Sequence, residues 1–210
     1  MVAFDREKII QYKQYFLLEH ECSFELLSGY GKVMLSAPHS VEQTRNGKRK
    51  VAEPLSGAIT RLLHDDTGCP VIYKTRNCGD DANYDEISSY KTALADYIQQ
   101  NGIRFVLDLH QLSHARTQKI NVGTGAYKNV AKPYVDLAVD VFEKRKVGLV
   151  QVGKPFDARY PFTVSSYIAR TCGISCMQIE INSGLFDLDA TLKDVYEGVK
   201  ELIQTLNELG

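Results

Sequence analysis

The sequence predicts an α/β fold: a three-layer sandwich in which helices cover both faces of a mixed, largely parallel central sheet. Three observations predict it. Short apolar runs alternate with amphipathic stretches of helical length. One run, IRFVLDLH (103–110), is nearly continuous in its apolar character, as a strand covered on both faces is. Helix punctuation falls between the runs, with Pro54 inside the first turn of one stretch and Gly68 just past its end.

Taken in order, residues 5–18 read as a helix, and 23–28 and 32–36 as short strands. PLSGAITRLLHDDTG (54–68) is a helix and PVIYK (70–74) a short strand. The polar loop TRNCGDDAN (75–83) leads to a helix across 84–102, stopped by Gly102. After the strand at 103–110 come a glycine-containing loop, a helix over about 132–145, a strand at 148–152 and a helix at 163–171. GISCMQIEIN (173–182) is a strand, and 189–210 closes the chain as an amphipathic helix capped by Asp187 or Asp189.

The length of 210 residues predicts one domain spanning 1–210, and 44% hydrophobic residues, with 12 Tyr and 8 Phe, suffice for its core. A net charge of −1, from 25 basic and 26 acidic residues, gives no footprint for nucleic acid or an anionic membrane. That leaves small-molecule and peptide substrates. The N-terminal stretch is charged every few residues and lacks the apolar core of a signal peptide. No run approaches the roughly 18 apolar residues that span a bilayer. The expectation is a soluble, cytoplasmic protein. Five cysteines, at 22, 69, 78, 172 and 176, are an odd number and read as reduced thiols. Cys172 and Cys176 read as small core hydrophobes rather than a soft-metal pair.

In open α/β sheets, ligands bind beyond the carboxyl ends of the strands. Three apolar strands carry polar groups there. The first runs past Pro38 into His39 and Glu42, the second ends in Asp108-Leu109-His110, and the third holds Glu180. Alone, His39 reads as a loop residue and Glu42 as a solvated one. Glu180 is harder to dismiss, because an unpaired carboxylate in an apolar strand is costly unless a charge faces it. Together they fit a metal centre: two histidines and a carboxylate commonly hold a catalytic Zn²⁺ and leave a fourth position for water. Glu180 would act as general base and acid. Asp108, on the same strand face as His110, would fix a histidine tautomer. Glu53, at the start of its helix, reads as a helix-dipole charge, with metal ligation in place of Glu42 as the other reading. His114 fits a supporting or substrate-contacting role. Arg45, Arg49 and Lys50 read as solvated, with one able to face an acidic substrate.

The segments LSAPHS, DLHQLS and MQIEINSGLF, in that order between about Val33 and Phe186, resemble the N-formylglutamate amidohydrolase family and its relatives among the carboxypeptidase-like zinc hydrolases. The resemblance implies the zinc-carboxypeptidase and phosphorylase/hydrolase-like version of the sandwich. It also implies one zinc ion on His39, Glu42 and His110, with Glu180 as the catalytic carboxylate. The implied activity is hydrolysis of an amide bond in a small N-acyl amino acid such as N-formylglutamate, or in a related glutamyl compound. The alternatives are a zinc peptidase of the same fold acting on glutamyl polymers or cell-wall peptides, and a non-catalytic metal-binding module. The family grips a substrate carboxylate with polar groups, often an Asn-Arg pair. Here Arg76, Asn83 and Arg159 are the candidates, although the Asn-Arg order is not reproduced and Val164-Ser165-Ser166 stands where relatives carry paired glycines.

Overall fold

A computed structural model describes residues 4–210 of the chain. Its centre is a seven-stranded sheet in the order β1 (Phe24–Leu27), β5 (Val71–Lys74), β2 (Val33–Ala37), β6 (Phe105–Leu112), β9 (Ser175–Asn182), β7 (Ile120–Gly123) and β8 (Val150–Val152). The four middle strands, β5, β2, β6 and β9, run parallel. β1 is antiparallel to β5, β7 is antiparallel to β9, and β8 lies parallel to β7. This is the mixed, largely parallel sheet that the alternating pattern predicts.

The period of two along each strand divides the core. Val33, Leu35, Leu107, Leu109, Ile179 and Ile181 face one side, beneath helices α1 (Arg6–Tyr15), α2 (Pro54–Thr67), α4 (Lys132–Lys144) and α6 (Asp189–Leu209). Met34, Ile72, Val106 and Cys176 face the other, beneath α3 (Ser89–Asn101) and α5 (Val164–Cys172). Toward the carboxyl ends this second face changes character. Met34 gives way to Ser36, Ile72 to Lys74, Val106 to Asp108 and His110, and Cys176 to Gln178 and Glu180; all six of these polar residues are buried. The functional site grows from that polar end.

Several elements differ from the sequence-based expectation. A hairpin of β3 (Gln43–Arg45) and β4 (Lys48–Lys50) stands where a solvated loop is expected. Its two-residue turn, Asn46-Gly47, has positive φ at both positions, the geometry that Asn-Gly supplies. β7 replaces part of the glycine-containing loop. α3 begins at Ser89 rather than near 84, because Asp85 is engaged locally: its carboxylate accepts the Asp81 N–H at 2.8 Å. α6 has Leu188 at its N-cap and no side-chain cap, so neither Asp187 nor Asp189 caps it; Asp189 lies in its first turn. All five cysteines are free, and Cys176 is buried in the core under α3 and α5. No helix among the described residues is long and apolar enough to cross a membrane.

Candidate metal centre

Two turns and one helix start bring the candidate ligands together. β2 ends at Ala37, and the following turn carries His39. The His39 carbonyl accepts the backbone N–H of Glu53 at 2.8 Å, so the residue that opens α2 is tied to the histidine turn. Gly57 makes that approach possible. A Cβ there would lie 2.5 Å from the Ser40 Cβ and 2.6 Å from the Phe16 ring. His110 arrives from β6, and the Glu53 carboxylate also accepts the Gln111 N–H at 2.9 Å.

The two imidazoles are held in matching ways. His39 Nδ1 lies 3.0 Å from Glu53 Oε1, and its Nε2 lies 2.9 Å from Asp81 Oδ1. His110 Nδ1 lies 3.2 Å from Glu53 Oε2, and its Nε2 lies 3.2 Å from Asp108 Oδ2. The rings meet edge to face with centroids 4.9 Å apart. Each aspartate is itself fixed: Asp81 by Arg45 Nε at 2.8 Å and the Asn83 N–H at 3.0 Å, Asp108 by the Ser36 hydroxyl at 2.7 Å. Tyr90 of α3 continues the second chain, its hydroxyl 2.9 Å from Ser36 Oγ.

This arrangement calls for positive charge at its centre. If each Nε2–H donates to its aspartate, each neutral ring turns the lone pair of Nδ1 toward the Glu53 carboxylate, acceptor against acceptor. A proton on each ring or a cation between them resolves the conflict. Burial alone would push the His39 pKa down, but the Glu53 charge and the hydrogen bonds to Asp81 and Glu53 raise it to about 9. His110 is raised well above its ordinary value, the Asp108 and Glu53 carboxylates overcoming burial. Burial acts to raise Glu53, yet the two imidazoles hold it down, at about 2. One donor atom from each of His39, Glu53 and His110 lies within 4.8 Å of the others, a cluster able to hold a metal ion. Two ring nitrogens and a carboxylate, each ring backed by a carboxylate on its far nitrogen, are a donor set suited to a divalent cation.

Glu180 stands beside this cluster, directly across from His110 in the parallel pairing of β6 and β9. Burial, reinforced by the charges of Glu53 and Asp108 and opposed by the imidazoles, raises its pKa to about 7. It accepts a hydrogen bond from Gln178 Nε2 at 2.9 Å. His39, Glu53, His110, Gln178 and Glu180 open on a cavity of about 650 Å³. One wall is the β3–β4 hairpin with Arg45 and Lys50; the opposite wall is the 154–160 loop. Tyr84 and Tyr160 stack across the gap, with ring centroids 4.9 Å apart and the Arg45 guanidinium 4.7 Å from the Tyr84 centroid.

The structure thus brings together His39, His110, Asp108 and Glu180, and it puts Glu53 rather than Glu42 in the place of the third candidate ligand. Glu42 is half-exposed and paired with Arg49 on the hairpin, while Glu53 lies between the imidazoles. The physical reason is the tight turn after β2, which directs Glu42 toward the hairpin while α2 returns Glu53 to the strand ends. Arg76 is exposed, reaching only toward the Glu21 carbonyl, and does not line the cavity. His114 is likewise exposed and outside the cavity, because the chain turns away after β6. Asn83 lines the cavity, with its Oδ1 accepting the Val164 N–H at 2.7 Å; Arg159 lines it, bonded to Asp157. Sequence reasoning missed Asp81, Gln178 and Arg116. Asp81 sits in a polar loop without periodic signal, and Gln178 is hidden beside the more conspicuous Glu180.

No family model and no curated protein matches the chain. Solved structures do. A gene product from Agrobacterium tumefaciens aligns with a TM-score of 0.63 and 13% identity, over 90% of this chain and 96% of that one. N-formylglutamate amidohydrolase from Ralstonia eutropha aligns at 0.57 and 15% identity, over 87% and 98%. A bacteriophage poly-gamma-glutamate hydrolase aligns at 0.58 and 12% identity, over 92% and 94%. Such identities establish likeness of fold, and the fold is the expected zinc-carboxypeptidase-like sandwich.

Proposed function

We propose that this chain is a zinc-dependent hydrolase of amide bonds, acting on a small N-acyl amino acid such as N-formylglutamate or a related glutamyl compound. The observation that carries the reading is the joint geometry of the two imidazoles, Glu53 and Glu180 at one end of one cavity. The fold likeness to N-formylglutamate amidohydrolase supports it.

His39, Glu53 and His110 would hold the ion, each ring through Nδ1. When bound there, zinc supplies Lewis acidity and lowers the pKa of a water molecule to near neutrality. The chain's own residues do the rest. Asp81 and Asp108 keep the Nε2 protons on their rings, so that Nδ1 stays free to ligate. Glu180, with a pKa near 7, is matched to taking the water's proton and returning it to the departing nitrogen. Arg116, over the Phe156 ring, and Lys154 line the cavity and place positive charge there for a substrate carboxylate, as does Arg159, which is itself paired with Asp157. A substrate bearing a carboxylate fits this lining, and the near-zero net charge gives no reason to invoke nucleic acid or a membrane as partner.

Metal analysis of purified protein is expected to find one zinc per chain. Glu180→Gln should keep the metal and lose turnover of N-formyl-L-glutamate. Glu53→Gln should lose the metal, while Glu42→Gln keeps it. Full metal content in both His39→Ala and His110→Ala would overturn the assignment.

A second substrate class has equal structural support. The bacteriophage poly-gamma-glutamate hydrolase aligns as well as the amidohydrolase does, and the cavity opens between two loops. Hydrolysis of an oligo-γ-glutamyl peptide in preference to N-formyl-L-glutamate would select this peptidase reading.

A further inference from the structure

Two walls of the cavity carry positive charge, and they stand on opposite sides of the candidate metal cluster and Glu180. The strand order sets this out. β2, β6 and β9 are successive neighbours, so His39, His110 and Glu180 follow one another across the sheet edge. The β3–β4 hairpin lies on the β2 side. It is tied to the loop after β5 by the Thr44 N–H, which donates to the Asp80 carbonyl at 3.0 Å, and by Arg45, 2.8 Å from Asp81. The 154–157 loop lies on the β9 side, where Asn121 of β7 donates Nδ2 to the Phe156 carbonyl at 3.3 Å. Arg116 joins that second wall, over the Phe156 ring.

On the hairpin, Gln43 pairs with Lys50 and Arg45 follows two residues on, which puts all three on one face. These three line the cavity, whereas Thr44 and Arg49 of the reverse face do not. Two of the three are already engaged. Gln43 donates its amide to the His39 carbonyl at 3.0 Å, and Arg45 is held by Asp81 and the Tyr84 ring. Lys50 has no ion-pair partner among the described residues, while Arg49 behind it is paired with Glu42. Val51, the next residue, lines the same cavity and is 84% exposed. An uncommitted ammonium beside an uncovered apolar side chain suits a short methylene chain that ends in an anion.

We propose that Lys50 and Val51 receive the acyl group of the substrate, so that the site selects amides with an anionic group on each side of the bond to be cut. This deepens the hydrolase reading and rests on it; within that reading it favours an acidic acyl group over formyl. The orientation follows from the proton transfer. The water oxygen bonds to the carbonyl carbon, and the water's proton passes to Glu180. It then moves to the nitrogen as the C–N bond breaks, giving a carboxylate and an amine. The nitrogen therefore lies toward β9, with the carboxylate of its own half toward Arg116 and Lys154. The acyl chain extends the other way, to the hairpin. For N-glutaryl-L-glutamate the products are glutarate and L-glutamate.

The test compares N-glutaryl-L-glutamate with N-pentanoyl-L-glutamate, which replaces the acyl-side carboxylate by a methyl group. Calorimetric binding is measured at low ionic strength, where such pairs are least screened, in the full chain carrying Glu180→Gln so that neither compound is cut. The glutaryl compound should bind about fivefold more tightly, the upper range for a solvent-accessible ion pair. Adding Lys50→Met should bring the two within about twofold, and adding Lys50→Glu should reverse the order. Lys193→Met removes the same charge from an exposed position on α6 and should leave the ratio as it was. Equal binding of the two compounds, no binding of either, or a ratio that survives Lys50→Met would overturn the proposal. So would an equal weakening of both compounds by Lys50→Met, which would put the amine half at the hairpin, or an equal effect of Lys193→Met, which would make net charge the cause. Turnover by the zinc-loaded wild type separates the two levels. Hydrolysis of both compounds without a glutaryl preference in binding sinks the role of Lys50 and leaves the hydrolase standing. A glutaryl preference without hydrolysis of either sinks the hydrolase and leaves Lys50 as a recognition group.

Discussion

The two faces of the central sheet use the same strands for different purposes. On the face under α1, α2, α4 and α6, the row Phe105, Leu107 and Leu109 on β6 and the row Met177, Ile179 and Ile181 on β9 stay apolar to the strand ends. On the other face, the intervening residues begin apolar with Val106 and Cys176 and finish as Asp108, His110, Gln178 and Glu180. A strand that alternates in this way can place buried charge at its tip without weakening its grip on the core. One face carries the hydrophobic stabilisation, at roughly 25 cal/mol per Å² of apolar surface removed from water. The other concentrates groups whose burial is costly unless they face a cation or one another. Function and stability are therefore separable residue by residue along a single strand.

The sharpest test of that separation is Leu109→Ala. Leu109 is fully buried between two polar-face neighbours, Asp108 and His110, yet points into the opposite layer. The substitution should destabilise the fold by about 2–5 kcal/mol in chemical denaturation. The surviving folded protein should keep its full metal stoichiometry. If the loss of stability came with a matching loss of metal, the two faces would be coupled and the division would fail.

Next in size is a pH effect on the polar face. Glu180 has its pKa raised to about 7 from an ordinary value of 4.5, so between those pH values the folded protein holds the proton more firmly than the unfolded chain. The stability that Glu180 contributes is complete below pH 4.5 and is lost as pH rises through about 7. Glu180→Gln has no proton to lose. In metal-free protein its stability relative to wild type should rise between pH 5 and pH 8, by up to about 3 kcal/mol. Urea denaturation at the two pH values measures it. A difference that stayed flat would mean that Glu180 ionises without a desolvation cost.

Much of this division is legible in the sequence. The run FVLDLH shows Asp108 and His110 two residues apart on one face, and MQIEIN places Glu180 in an otherwise apolar strand. The carboxyl-end location of the site follows from a general rule of open α/β sheets; the strand order does not. The third candidate ligand is harder to read, because His39-x-x-Glu42 has a compact local spacing whereas Glu53 reaches the site only through a turn, a hairpin and a helix start. Its one local signature, an acid ahead of Pro54, is shared by any favourable helix N-terminus. Asp81 escapes for a related reason: it meets His39 and Arg45, which are distant from it in sequence. The Asn46-Gly47 turn was readable and marks the hairpin that draws Glu42 aside.

The smallest effect probes the polar row from within. Asp108 accepts from Ser36 Oγ through Oδ1 and faces His110 Nε2 through Oδ2. In Asp108→Asn the amide oxygen can still accept from Ser36, but its NH₂ then meets Nε2. The imidazole must present a lone pair there, and in its neutral form it carries the proton on Nδ1, the nitrogen turned toward Glu53. That is the wrong tautomer for a ligand. Metal affinity, read by competition with a chromophoric chelator, should fall about 10–100-fold, roughly 1.4–2.7 kcal/mol. Ser36→Ala leaves the tautomer unchanged and removes only one hydrogen bond to Asp108, so its effect should be smaller. Equal losses in the two variants would mean that Asp108 acts as part of a rigid hydrogen-bonded chain rather than by choosing the protonated nitrogen, and the polar face would then owe its function to packing after all.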